Sequence, residues 1–249
     1  MVPEMGSQVT RTIALVALLL PVCLAGAPKA EKASLESGGQ KHEYFVFAPK
    51  AAEDMPGAPM LVLLHGSGRD GMSQINEWKD LASSEGIVLV APNAVNSRMW
   101  QLPQDGPDPM IAIADSVREK YHADANRVYL FGHSAGAVFS LFMACEKPHY
   151  FAAIAVHAGA VRESDEADVA RVAKEVDRKT PIFVQVGSDD PFFPPAAVRR
   201  TQTLFQEAGF PFDVKEIPHH DHTYYAISKN VNRDAWAFLK DKTLDGEAK

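Results

Sequence analysis

From about residue 41 onward, short apolar runs alternate with longer stretches of helical, amphipathic periodicity. The runs Glu43–Ala48, Met60–Leu64, Ile87–Ala91, Arg127–Phe131, Ala152–His157, Ile182–Val186 and Phe212–Ile217 read as strands. Several are apolar throughout, the pattern of strands covered on both faces in a parallel sheet. Between them, Gln74–Ser84, Pro109–Tyr121, Ala135–Glu146, Asp165–Arg178, Pro195–Ala208 and Val231–Lys240 carry helical spacing. The alternation predicts an α/β fold, with a mostly parallel central sheet and helices on both faces.

At 249 residues, 46% hydrophobic and 23% charged, the chain has an ordinary globular composition, which excludes a disordered tail, a disulfide scaffold or a repeat array. A single domain is expected over residues 41–249, behind a flexible N-terminal segment at 28–40. Net charge is -7 with no Lys/Arg-rich run, so nucleic acid is not an expected partner, because phosphate binding needs clustered positive charge. Ile13–Leu24 is an apolar run of twelve, preceded by Arg11 and followed by Ala25, Gly26 and Ala27. Such a run is shorter than the roughly twenty residues that span a bilayer, and fits the apolar core of a secretory signal. Residues 1–27 therefore read as a signal peptide and the protein as exported, with no stable membrane span. Pro21 and Val22 stand where a lipoprotein would carry small residues before Cys23, so a lipid anchor is the poorer reading. Loss of the signal leaves Cys145 as the sole cysteine, and stability then rests on a core rather than on disulfides.

Ligands of open α/β sheets bind beyond the carboxyl ends of the strands. Read there, the chain offers His65-Gly66-Ser67-Gly68, Gly132-His133-Ser134, Gly187-Ser188-Asp189-Asp190 and His219-His220-Asp221-His222. The strongest signal is Gly132-His133-Ser134-Ala135-Gly136, a G-x-S-x-G between an apolar strand and an apolar helix. Its glycines permit a sharp turn that lifts the Ser134 hydroxyl above the sheet. A nucleophilic serine also needs a base and a carboxylate to orient that base, supplied in such folds in the order serine, acid, histidine. The aspartates after Gly187 and the late histidines satisfy that order.

On these motifs the chain resembles the α/β-hydrolase superfamily, and within it polyhydroxybutyrate depolymerase/feruloyl esterase-like and carboxylesterase/phospholipase-like serine esterases. The resemblance implies the α/β-hydrolase fold and hydrolysis of carboxylic esters through an acyl-enzyme, on a small-molecule or polymeric ester substrate and without a cofactor. Its Gly-x-x-Asp-x-x-x-Pro acid segment aligns on Gly187 and Pro194 and marks Asp190, with Asp189 as neighbour. Its base, followed by hydroxyl or aromatic residues, fits His222 before Thr223-Tyr224-Tyr225 better than His220; His219 and His220 are expected to cap the next helix or face water. The oxyanion donors it implies are the backbone amides of Ala135 and Ser67. His65, Trp100, Phe192 and Phe193 are candidate lining of the substrate pocket.

Three other patterns compete. Gly66-Ser67-Gly68-Arg69-Asp70-Gly71 matches a dinucleotide fingerprint, but the next strand ends in Pro92-Asn93 instead of the acidic residue a ribose needs. The histidine cluster could suggest a metal, yet adjacent loop residues seldom converge on one ion, and no metal site is expected. Arg162 to Lys179 reads as a solvated helix on the sheet edge or a small cap. A peptidase or thioesterase on the same scaffold is the alternative activity, and a non-catalytic binding protein of this fold the alternative from a different class.

Overall fold

The computed structural model describes residues 29–247. Its centre is one eight-stranded sheet: β1 (Glu31–Ser37), β2 (Gln40–Phe47), β3 (Met60–Leu64), β4 (Val88–Pro92), β5 (Val128–His133), β6 (Ala153–His157), β7 (Ile182–Gly187) and β8 (Phe212–Ile217). The spatial order is β1-β2-β4-β3-β5-β6-β7-β8, parallel from β4 to β8, with β1 and β2 antiparallel at one edge. β3, β4, β5 and β6 are buried along their whole length, which is why they read as continuous apolar runs instead of alternating ones.

A one-turn helix α1 (Lys50–Glu53) precedes β3. α2 (Gly71–Glu85) and α7 (Tyr224–Leu239) cover one face of the sheet; α3 (Pro107–Lys120), α4 (Ala135–Glu146), α5 (Glu166–Glu175) and α6 (Pro195–Glu207) cover the other. Strand alternation decides which core each residue joins. Leu61 and Leu63 pack with Ile75, Trp78 and Trp236, whereas Met60, Val62 and Leu64 pack with Ile113, Leu141 and Phe205. Among the described residues no helix is long and apolar enough to cross a membrane. The proposed signal, residues 1–27, lies outside the described residues.

The expectation of a flexible segment at 28–40 is corrected. Glu31–Ser37 pairs with Gln40–Phe47 in a hairpin turned by Gly38 and Gly39, both at positive φ. Ala33 and Leu35 face the core, while Glu31 meets Lys120 at 3.2 Å and Lys32 meets Glu43 at 2.8 Å on the open side. As an edge strand it carries two apolar residues among charged ones, so its composition resembles a linker.

α7 begins at Tyr224, well before the expected Val231. Its first turns bury polar groups: Ser228 bonds the Glu77 carboxylate, Asn232 donates to the Glu77 carbonyl, and the Tyr224 hydroxyl donates to Asn232. An inward face built from such residues has no apolar periodicity to read. α5 stops at Glu175, short of the expected Arg178, whose guanidinium turns beneath the sheet onto the carbonyls of Pro148, Phe151 and Ala152.

Candidate active site

The site begins where β5 hands over to α4. Ser134 sits between them at φ 55° and ψ −116°, a conformation non-glycine residues rarely adopt. Strain of this kind costs on the order of 1–3 kcal/mol and is held by its surroundings. Here the Ser134 N–H donates to the His157 carbonyl at 3.0 Å, and the Ser134 carbonyl accepts the Val138 N–H at 3.1 Å. The neighbouring glycines are demanded by contact. A Cβ on Gly136 would strike the Leu64 carbonyl, and one on Gly132 would strike the Gly136 carbonyl.

The raised hydroxyl meets an imidazole from the loop after β8. Ser134 Oγ lies 2.9 Å from His222 Nε2, and His222 Nδ1 lies 2.8 Å from Asp190 Oδ2. A carboxylate only accepts, so Nδ1 carries the proton and Nε2 is left to accept from the serine. Asp190, 3% exposed, is held by its other oxygen, which accepts the amides of Phe192 and Phe193 at 2.9 Å each. Asp189 points elsewhere and accepts the Ser188 hydroxyl at the surface. A serine bonded to an imidazole that a buried carboxylate orients can lose its proton as it attacks an electrophile.

Behind His222 lies a layer of buried rings. His133 is 5.1 Å from the His222 ring, 5.0 Å from Tyr224 and 5.2 Å from His157, with its Nδ1 3.2 Å from Nδ1 of His157. Burial, followed by the charge that His222 can carry, pulls His133 down to about 3 from the ordinary value near 6.5. Burial likewise holds His157 well below the ordinary range. Both rings are therefore neutral at physiological pH and add no charge opposed to a transient imidazolium at His222. His220 is also buried, its ring 5.5 Å from His157, which corrects the expectation that it would cap a helix or face water. His219 is exposed at φ 55°, its N–H donating to the Ser188 hydroxyl.

Ser134 opens onto a two-lobed cleft. The larger lobe, about 780 Å³, is lined by Ser67, Arg69, Phe192 and Tyr225; the smaller, about 490 Å³, by Trp100, Ala135, Phe139 and Phe142. Arg162 and Phe193 border both lobes with Ser134. Ser67 lines the larger lobe and Ala135 the smaller, and among the described residues no backbone hydrogen bond is donated by the amide of either. Gly66 brings the loop close, since a Cβ there would lie 3.3 Å from Ser134 Cβ.

Of the four expected lining residues, Trp100, Phe192 and Phe193 line the cleft and His65 does not. His65 is 1% exposed behind the loop. Its Nε2 accepts the Ala94 N–H at 3.0 Å, so Nδ1 carries the proton and donates to the Gly66 carbonyl at 2.9 Å. Burial lowers its pKa and keeps this arrangement uncharged. The His65 carbonyl in turn accepts the Trp100 indole N–H at 3.0 Å, and the indole stacks on Phe139. The loop carrying Trp100 is tied by Asp105, which is buried and accepts the amides of Val95 and Gln101. Asp105, His133 and the cleft arginines were not singled out by the sequence; for His133 the signal was its place beside Ser134 in the G-x-S-x-G. Within Arg162–Lys179 only α5 (Glu166–Glu175) is an α-helix, packed on the surface by Ala173, and only the leading residues Arg162 and Asp165 reach the cleft.

The strand order and the turn carrying Ser134 define the chain as an α/β-hydrolase. The model of the Esterase family, described as "Putative esterase", matches residues 112–239, just over half of the chain, and spans Ser134, Asp190 and His222. The chain belongs to the Esterase family. It is 30% identical over 156 residues to the bifunctional acetylxylan esterase/xylanase XynS20E of Neocallimastix patriciarum, covering 61% of this chain and 22% of that protein. It is 27% identical over 145 residues to the poly(3-hydroxybutyrate) depolymerase of Ralstonia pickettii, covering 49% and 30%. The chain thus spans less than a third of either curated relative. Among solved structures, the fluorophosphonate-binding serine hydrolase FphF of Staphylococcus aureus superposes with a TM-score of 0.72 at 13% identity, over 86% of this chain and 99% of that one, a likeness of fold.

Proposed function

We propose that the protein is a serine esterase that cleaves carboxylic esters through an acyl-enzyme. The observation that carries this reading is the hydrogen-bonded run from Asp190 through His222 to Ser134 at the floor of the cleft. Ser134 Oγ attacks the ester carbonyl carbon while His222 Nε2 takes its proton, and Asp190 holds the imidazole in the tautomer this requires. The carbonyl oxygen becomes an oxyanion that accepts the Ala135 and Ser67 amides. Collapse expels the alcohol, protonated by His222, and leaves the acyl group on Ser134. Water, deprotonated by His222, then attacks the acyl carbon; the acid leaves and Ser134 recovers its proton.

Membership of the Esterase family and the likeness to an acetylxylan esterase and a polyester depolymerase favour an ester over an amide or thioester. A fluorophosphonate probe followed by peptide mapping tests the nucleophile, and matched ester, amide and thioester substrates test the leaving group. Label on Ser134 with preferred ester turnover is the expected outcome; absence of label on a folded sample overturns the reading. Export is proposed from Ile13–Leu24, and N-terminal sequencing of protein recovered outside the cytoplasm tests it: an intact Met1 there overturns it.

A further inference from the structure

In a chain of net charge -7, the larger lobe of the cleft has an unexpected lining. It contains two arginines, Arg69 and Arg162, and no aspartate or glutamate. Among the described residues neither guanidinium makes a salt bridge to a carboxylate, so both are free to take an anion. Of the acids beside them in sequence, Asp70 caps α2 through the Ser73 amide, Glu163 lines neither lobe, and Asp165 accepts the Ser164 hydroxyl and lines only the smaller lobe. The Arg69 guanidinium sits over the Tyr225 ring, its Cζ 4.6 Å from the ring centroid, which holds it at the cleft wall. Phe192, also on this lobe, is 71% exposed, an apolar surface with nothing of the described chain to cover it.

We propose that the larger lobe selects esters that carry a carboxylate, with Arg69 and Arg162 pairing with the anion and Phe192, Phe193 and Tyr225 covering the chain between it and the scissile bond. This rests on the esterase reading and adds its substrate class. Guanidinium matches carboxylate geometry with paired N–H donors, and a lobe lined by one sign of charge concentrates the opposite ion even when the whole surface repels it. The smaller lobe, walled by Trp100, Phe139 and Phe142, suits the uncharged portion of the ester.

The test compares acids with their neutral amides of the same shape: ε-acetoxycaproate and its amide, which differ on the alcohol side, and monoethyl adipate and its amide, which differ on the acyl side. At least one acid is expected to exceed its amide about tenfold in kcat/KM, with the preference shrinking at raised salt. A phosphate in place of the carboxylate distinguishes a general anion site, on which it would be cleaved equally well, from a carboxylate site. Arg69→Gln and Arg162→Gln are each expected to lower the acid-to-amide ratio several-fold, and the Lys variants to keep most of it. The ratio is the readout because general damage to the cleft lowers both members of a pair. Turnover of para-nitrophenyl acetate with no preference for either acid, with the phosphate cleaved as well as the acid or better, or with ratios unmoved by the double Gln variant, overturns this inference alone. Failure on every ester, para-nitrophenyl acetate included, overturns the esterase reading and this inference with it.

Discussion

Ser134 Oγ and His222 Nε2 lie 2.9 Å apart although 88 positions separate them in the chain. β5 presents the first and the loop between β8 and α7 the second, and what joins them is the sheet between. Replacing Ser134 with alanine should lower kcat on any small ester by at least about a thousandfold with little change in KM, because the lost interaction belongs to the reacting state. Steady-state kinetics on a folded sample, checked by circular dichroism, measures this; residual activity within tenfold of the parent would point to another nucleophile.

The two neighbouring aspartates should separate cleanly. Asp190→Asn removes the acceptor that holds the His222 tautomer and should cost roughly three to four orders of magnitude in kcat. Asp189→Asn touches only a surface hydroxyl and should stay within about threefold. Equal losses in the two variants would contradict the assignment.

His222 and His220 should differ in kind. His222→Ala is expected to abolish turnover at unchanged stability. His220→Ala leaves a hole beside His157 and should lower stability by about 1–3 kcal/mol while ester cleavage persists. Chemical denaturation paired with an esterase assay distinguishes the two.

Acid should weaken the protein through its buried histidines. His133 is held at about 3 when folded, against about 6.5 when unfolded. Below pH 6.5 the unfolded chain takes up a proton that the native ring refuses, so stability falls as pH drops from 6.5 toward 3, by up to about 1.4 kcal/mol per pH unit for each such histidine. His157, shifted in the same direction, adds to the slope. Denaturant unfolding between pH 7 and pH 4 reads it, and His133→Phe should flatten the curve.

Arg178 should be a stability residue with no part in turnover. Its guanidinium serves the carbonyls of Pro148, Phe151, Ala152 and Leu244 together with the Thr180 hydroxyl. Lysine cannot span that set, and Arg178→Lys should cost about 2–4 kcal/mol with kcat unchanged for the fraction that folds. Thermal unfolding measures it.

The strands β3 and β8 were legible to the residue, as was α4: β3 and α4 because a covered strand and a helix buried against a sheet must be apolar nearly throughout, and β8 because Phe212 and Val214 alternate with polar residues. β1 escaped because half of its residues face water, and the first turns of α7 because they bury Ser228 and Asn232 against Glu77 in place of apolar side chains. The same limit held at the site. Ser134 was visible because its turn needs glycine at positions 132 and 136, a requirement of backbone contact that leaves a mark in composition. His65 was misjudged because a histidine at a strand end looks alike whether it faces substrate or, as here, ties the Gly66 carbonyl to the Ala94 amide.

Local periodicity and the glycine-flanked serine were therefore enough to determine the layered α/β architecture and the place where chemistry would concentrate, since both follow from rules acting over a few residues. Which histidines are buried and neutral, and which arginines share a cleft with Ser134, were decided by tertiary structure alone. Those are relations between strand exits brought together by the sheet, and distance along the chain carries no record of them.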